Sequence, residues 1–147
     1  MKAIVCKAYG PPENLVLEEI DDPVAAENEA IVQIYSASLN FPDGLQIQGK
    51  YQFQPPMPFT PGSKVGGIIT SVGAGIQDFA VGDRVMATPG IGGLAEQVAV
   101  KADGLRKIPD SMDFKTAAGF AMIYTTSYYA LRQRAQQQPG ETLLVLG

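Results

Sequence analysis

Asn40, Asp43 and Tyr51 place three side chains capable of polar chemistry on one short stretch that follows an alternating, strand-like run. An asparagine amide can donate to a carbonyl oxygen, and a phenol of ordinary acidity can position that oxygen or give it a proton at neutral pH. Strand ends and the loops after them are where a rigid scaffold commonly carries such groups. On spacing alone the plainer reading is the better one. Asn40 then ends a strand and Tyr51 packs against Phe53 and the prolines, since Asn, Asp and Gly are ordinary loop residues. Cys6 lies in an apolar run, where a cysteine serves as a small packing residue rather than a nucleophile. The chain has no histidine and one cysteine. That excludes a structural four-ligand zinc site, starves a catalytic one of donors, and removes Ser-His-Asp and Cys-His catalysis. Acid–base chemistry must come from Tyr, Asp, Glu, Lys or a cofactor.

Composition narrows the classes further. A chain of 147 residues, 46% hydrophobic, can bury one ordinary core. It cannot also hold a complete dinucleotide-binding domain. The net charge of -4, with no basic stripe, argues against nucleic acid. No apolar run reaches membrane-spanning length, and the opening Met1–Val5 is too short for a signal core. A lone cysteine excludes an intrachain disulfide and points to a cytoplasmic setting.

Short strands separated by turn residues must position these groups. Lys2–Lys7, Leu15–Ile20, Glu29–Leu39, Lys64–Val72, Arg84–Ala87 and Leu94–Val100 read as strands. In the third, Ala30, Val32, Ile34 and Ser36 alternate with Ile31, Gln33, Tyr35 and Ala37, which is a period of two. Many short strands with Gly and Pro between them indicate a barrel or sandwich. After Pro109 the character becomes helical. Asp110 or Ser111 can cap a first turn, Asp113 a segment through Phe120, and Met122 to Gln137 a longer helix that Pro139-Gly140 stops. Glu141–Leu146 reads as a buried-type strand, apolar on both faces. Gly73-Ala74-Gly75 and Gly90-Ile91-Gly92-Gly93 lead into strand or turn rather than helix, so they read as tight turns, not phosphate loops. Only Val145-Leu146-Gly147 has a strand-to-glycine form.

Three segments together resemble the zinc-independent quinone reductase branch of the medium-chain dehydrogenase/reductase family, whose zeta-crystallin-like members are the nearest type. They are Leu39-Asn40-Phe41-Pro42-Asp43 to Tyr51; Pro58 to Gly62 with Gly66 to Gly73 and Val81 to Val85; and Thr125 to Leu131 with Pro139 to Gly147. Order and spacing match over essentially the whole chain. The resemblance implies a mainly β fold with C-terminal helices (α+β), a GroES-like, partly open barrel over 1–121. Residues 122–147 would then be a connecting helix and the first strand of an absent Rossmann domain. It implies NADPH as cofactor, bound mainly by that domain, and a small quinone or enone as substrate. Asn40, Tyr51 and Asp43 would line the catalytic cleft, with Asn40, Thr126 and Gly147 on the cofactor. Thr126 also reads as a helix-surface threonine bonded to a preceding carbonyl. Tyr128, Tyr129, Leu131 and Met122 read as helix packing residues.

Two departures stand out. Zinc-dependent members carry Gly-His-Glu where this chain has Gly62-Ser63-Lys64, so Ser63 agrees with a zinc-free site. Zinc-free relatives usually keep the acidic residue, and Lys64 reverses its charge. Burial would depress its pKa, whereas snorkelling would leave it solvated. The family also runs to roughly twice this length, which leaves an unpaired sheet edge and an orphan strand. Edges of that type pair with other chains, giving a homodimer or an exchanged segment. The expected activity is therefore that of a full-length NADPH-dependent oxidoreductase, with the fragment itself inactive. An enoyl-thioester reductase and a stand-alone, non-catalytic barrel used in binding or assembly are the alternatives.

Overall fold

A computed structural model describes residues 1–146. Gly147, expected at the cofactor, lies outside the described residues. Strands β1 (Lys2–Val5) and β2 (Val16–Glu19) form an antiparallel ribbon. Strands β3 (Glu29–Ser38), β4 (Lys64–Val72), β5 (Arg84–Ala87), β6 (Gln97–Lys101) and β7 (Leu105–Lys107) form an antiparallel sheet in the order β6-β3-β4-β5-β7. The register slips between Ile31 and Val32 and between Ile34 and Ser36. Such bulges bend and twist a strand, here curling the sheet into the expected partly open barrel. Ala30, Val32, Val65, Ile69, Val85, Ala87, Val98, Val100 and Leu105 fill its concave side. Cys6 is buried in a second cluster with Ile47 and Phe59, and burial pushes its thiol pKa up, as suits a packing residue.

Helix α2 (Phe114–Tyr128) crosses the sheet. Its small residues Ala117 and Ala118 are buried, and it packs on β3, β4 and β5. Gly66 of β4 makes room: a β-carbon there would sit 2.5 Å from the Phe114 carbonyl oxygen. Arg84 holds the turn before the helix, donating to the carbonyls of Asp110 (2.9 Å) and Met112 (2.6 Å) with its guanidinium over the Phe114 ring. Asp113 is the cap. Its carboxylate accepts from the Thr116 N–H at 2.8 Å and the Thr116 hydroxyl at 3.1 Å, which holds its pKa below the usual 3.8. A depressed carboxylate stabilises the fold above its unfolded pKa, and that contribution disappears as pH falls through the folded value. Helical circular dichroism is thus expected to become acid-labile below about pH 3.8, with less of this lability in Asp113→Asn.

Four expectations need correcting. The helical segments foreseen on either side of Ala121 are one helix, which continues into a π-helical turn, Tyr129–Arg134. No proline or competing cap interrupts the run, and Gly119 is tolerated inside it. Glu141–Leu146 is not a strand but an irregular, exposed segment. A strand exists only as part of a ladder, and among the described residues none lies beside it. Tyr128 and Tyr129 are exposed, because the helix runs past the sheet that would cover them. The stretch after Asn40, expected as loop, contains helix α1 (Phe41–Ile47).

Candidate active site

Helix α1 organises the first part of the site. Pro42 occupies its first turn, where no N–H is needed, and the Asp43 carboxylate accepts from the Asn40 N–H at 2.8 Å. This is the reciprocal half of a capping box, so the Asn-x-x-Asp spacing was the signal for a helix start. It also turns Asp43 inward, where it is 5% exposed beside the buried Gln46.

Asn40 is committed to the scaffold. Its side-chain amide donates to the Ser38 hydroxyl at 3.0 Å and the Ser38 carbonyl at 3.2 Å. The Ser38 hydroxyl in turn donates to the Ala118 carbonyl of α2 at 3.0 Å. The end of β3 is thereby tied to the helix through a side-chain chain that sequence reading missed.

Asp43 and Gln46 of α1, Tyr51 and Phe53 of the following loop, Ser63 and Lys64 at the start of β4, Gly90, and Met122 of α2 line one cleft of about 200 Å³, together with Pro42. Thus Asp43, Tyr51, Ser63 and Lys64 are brought together. Asn40 stands just outside the lining, and Thr126 is not part of it. The Thr126 hydroxyl donates to the Met122 carbonyl at 2.7 Å on the exposed helix surface. Met122, read as a packing residue, is a cleft wall; Phe53 and Gln46 were not singled out.

Lys64 is half-buried. Its ammonium donates to the Ser63 carbonyl at 3.3 Å, and desolvation holds its pKa below the usual 10.5 while the nearby Asp43 carboxylate opposes the drop. Of the two fates foreseen, desolvation is the one that leaves its mark. The unfolded chain then carries more protons between the folded value and 10.5, so this group's contribution to stability rises with pH across that window. Asp43→Asn is expected to lower the Lys64 pKa further, read by NMR titration of lysines carrying isotopically labelled methyl groups. An unchanged titration would separate the two residues.

The Gly73-Ala74-Gly75 turn is occupied by the protein itself, whereas Gly90 has open space beside it and lines the cleft. A β-carbon at Gly73 would lie 1.9 Å from the Ala26 carbonyl oxygen, and one at Gly75 2.4 Å from Asn28 Oδ1. That filled space cannot cradle a phosphate; the cleft is a separate space along α1 and the start of β4. It is smaller than ordinary whole-ligand pockets, which begin at about 300 Å³. Among the described residues, no helix is long and apolar enough to cross a membrane.

Comparison with known proteins bears on the family and the fold. Residues 26–110 match the alcohol dehydrogenase GroES-like domain family. The chain is 38% identical to the quinone oxidoreductase-like protein 2 homolog of Nematostella vectensis, over 98% of this chain and 40% of that protein. It superposes on the quinone oxidoreductase of Thermus thermophilus, a structure described with its NADPH complex, at a TM-score of 0.82 and 37% identity. That match covers 96% of this chain and 43% of the other. The Escherichia coli quinone oxidoreductase complexed with NADPH gives a TM-score of 0.90 at 29% identity, covering 96% and 43%. The chain spans 40–41% of the length of the curated relatives it matches first.

Proposed function

The chain belongs to the alcohol dehydrogenase GroES-like domain family, within its quinone oxidoreductase relatives, and from that premise we propose that it forms the acceptor-binding part of an NADPH-dependent, zinc-free reductase of quinones or α,β-unsaturated carbonyls. The observation that carries this reading is the cleft that assembles Tyr51, Asp43 and Lys64 from three separate segments. NADPH, when bound, supplies the hydride. The chain's own residues orient the acceptor. The Tyr51 hydroxyl positions the acceptor's carbonyl oxygen, and Phe53 and Met122 wall the ring from water. Asp43, fixed by the Asn40 N–H, forms part of the inner wall. Asn40, Thr126 and Gly147 are assigned to the cofactor side by the family resemblance. The zinc-free assignment rests on composition, since one cysteine and no histidine cannot furnish the usual donors.

Residues 1–121, with Met122 as a wall of the cleft, then serve the acceptor, and the rest of 122–147 leads to a dinucleotide-binding part, which is why the chain alone is expected to be inactive. Its exposed Leu144, Val145 and Leu146 favour self-association, which sedimentation would reveal as a concentration-dependent dimer.

The direct experiment follows NADPH oxidation with a small quinone and with an enone, on this chain and on the full reading frame that encodes it. Turnover by the full protein only is the expected result. Turnover by the chain alone would overturn the division of labour, and none by either would overturn the reductase reading.

A further inference from the structure

Lys64, at the start of β4, lines the cleft, but the reading so far gives its ammonium no chemical role. Its side chain turns into the same cleft as Tyr51. The ammonium makes one long hydrogen bond, to its neighbour's carbonyl, and among the described residues no carboxylate pairs with it directly. Asp43 is close enough to attract it, yet the one carboxylate oxygen of Asp43 with a bonding partner accepts from the Asn40 N–H. Asp43 and Tyr51 are the other titratable groups of the cleft lining. Lys64 therefore has spare donors, is half withdrawn from water, and lines a cleft of about 200 Å³. In such a setting a hydrogen-bond donor acts most strongly on an oxygen that is acquiring charge.

We infer that Lys64 receives the oxygen of the acceptor, so that the cleft selects molecules whose carbonyl becomes a phenolate or enolate. This deepens the function proposed above and rests on it. The electron pair displaced by hydride addition ends on the carbonyl oxygen. There an N–H bond of Lys64 breaks as the O–H bond forms, and the neutral amine regains a proton from water. Tyr51, which lines the same cleft, holds the same oxygen.

The test needs no turnover. 4-Nitrophenol, whose phenolate absorbs visible light, is titrated with pH in the presence of the chain. Bound probe is expected to ionise about one pH unit earlier than free probe, a tenfold change in its ionisation constant. Lys64→Arg should keep most of that shift and Lys64→Met should lose it. Binding without a shift, or an equal shift in Lys64→Met, would overturn the role of Lys64 and leave the cleft intact. No binding by the unaltered chain would overturn the cleft and Lys64 together. If Lys64→Met does not fold, acetic anhydride labelling of the unaltered chain decides. Lys64 protected by the phenolate supports the inference, and Lys64 labelled equally with and without it overturns it.

Discussion

Gly67→Ala is expected to lower stability by about 3 kcal/mol, at or beyond the upper end for overpacking. A β-carbon there would lie 2.0 Å from the Gln33 carbonyl oxygen and 2.8 Å from a Val32 methyl. Neither can retreat easily. Gln33 belongs to β3, the strand paired on one side with β4 and on the other with β6, and Val32 is fully buried. Against total stabilities of about 5–15 kcal/mol, such a loss brings the domain near its threshold. Urea unfolding gives the measurement, with Gly119→Ala as control. Gly119 lies inside α2 with open space where a β-carbon would go, so its replacement should stabilise by roughly 0.5–1 kcal/mol. A Gly67→Ala midpoint equal to that of the unaltered chain would show that β3 and β4 separate more readily than their pairing implies.

Tyr51→Phe in the full protein is expected to lower kcat about a hundredfold for a quinone acceptor, the usual cost of losing one donor to a developing oxyanion. Phenylalanine keeps the ring that lines the cleft and removes only the hydroxyl, so packing and stability should hold. KM should change little, because the lost bond matters most in the transition state. Stopped-flow reduction with NADPH separates the chemical step from product release. A rate within twofold of the unaltered protein would reduce Tyr51 to a wall of the cleft, which is the plainer reading its spacing first suggested.

The strands were legible in the sequence where local alternation and turn residues coincide. Lys64–Val72 and Arg84–Ala87 stand in the structure with those bounds, because β-branched and apolar residues bounded by turn residues suit a strand. β7 was missed: Leu105–Lys107 is too short to show a period, and its pairing with β5 makes it a strand. α1 was hidden by Pro42 and Gly44, which read as loop although Asn40 and Asp43 carried the capping spacing. The final apolar run was misread in the opposite sense. Its composition suits a covered strand, and composition cannot supply the neighbours that a ladder requires.

What the amino-acid sequence determined by itself was local or compositional: the strand periods, the cap at Asp113, the lack of zinc donors, and the motif order that carries the family. Tertiary structure alone decided which polar residues meet. Asp43 turns inward because its carboxylate caps a helix, and the Asn40 amide nitrogen helps tie β3 to α2 through Ser38. Lys64 reaches the same cleft from the start of another strand. Its charge lies in a half-dry space beside Asp43 only because the curled sheet and α1 close around it. That environment, which no spacing in the chain encodes, depresses its pKa and leaves its donors free for an acceptor's oxygen.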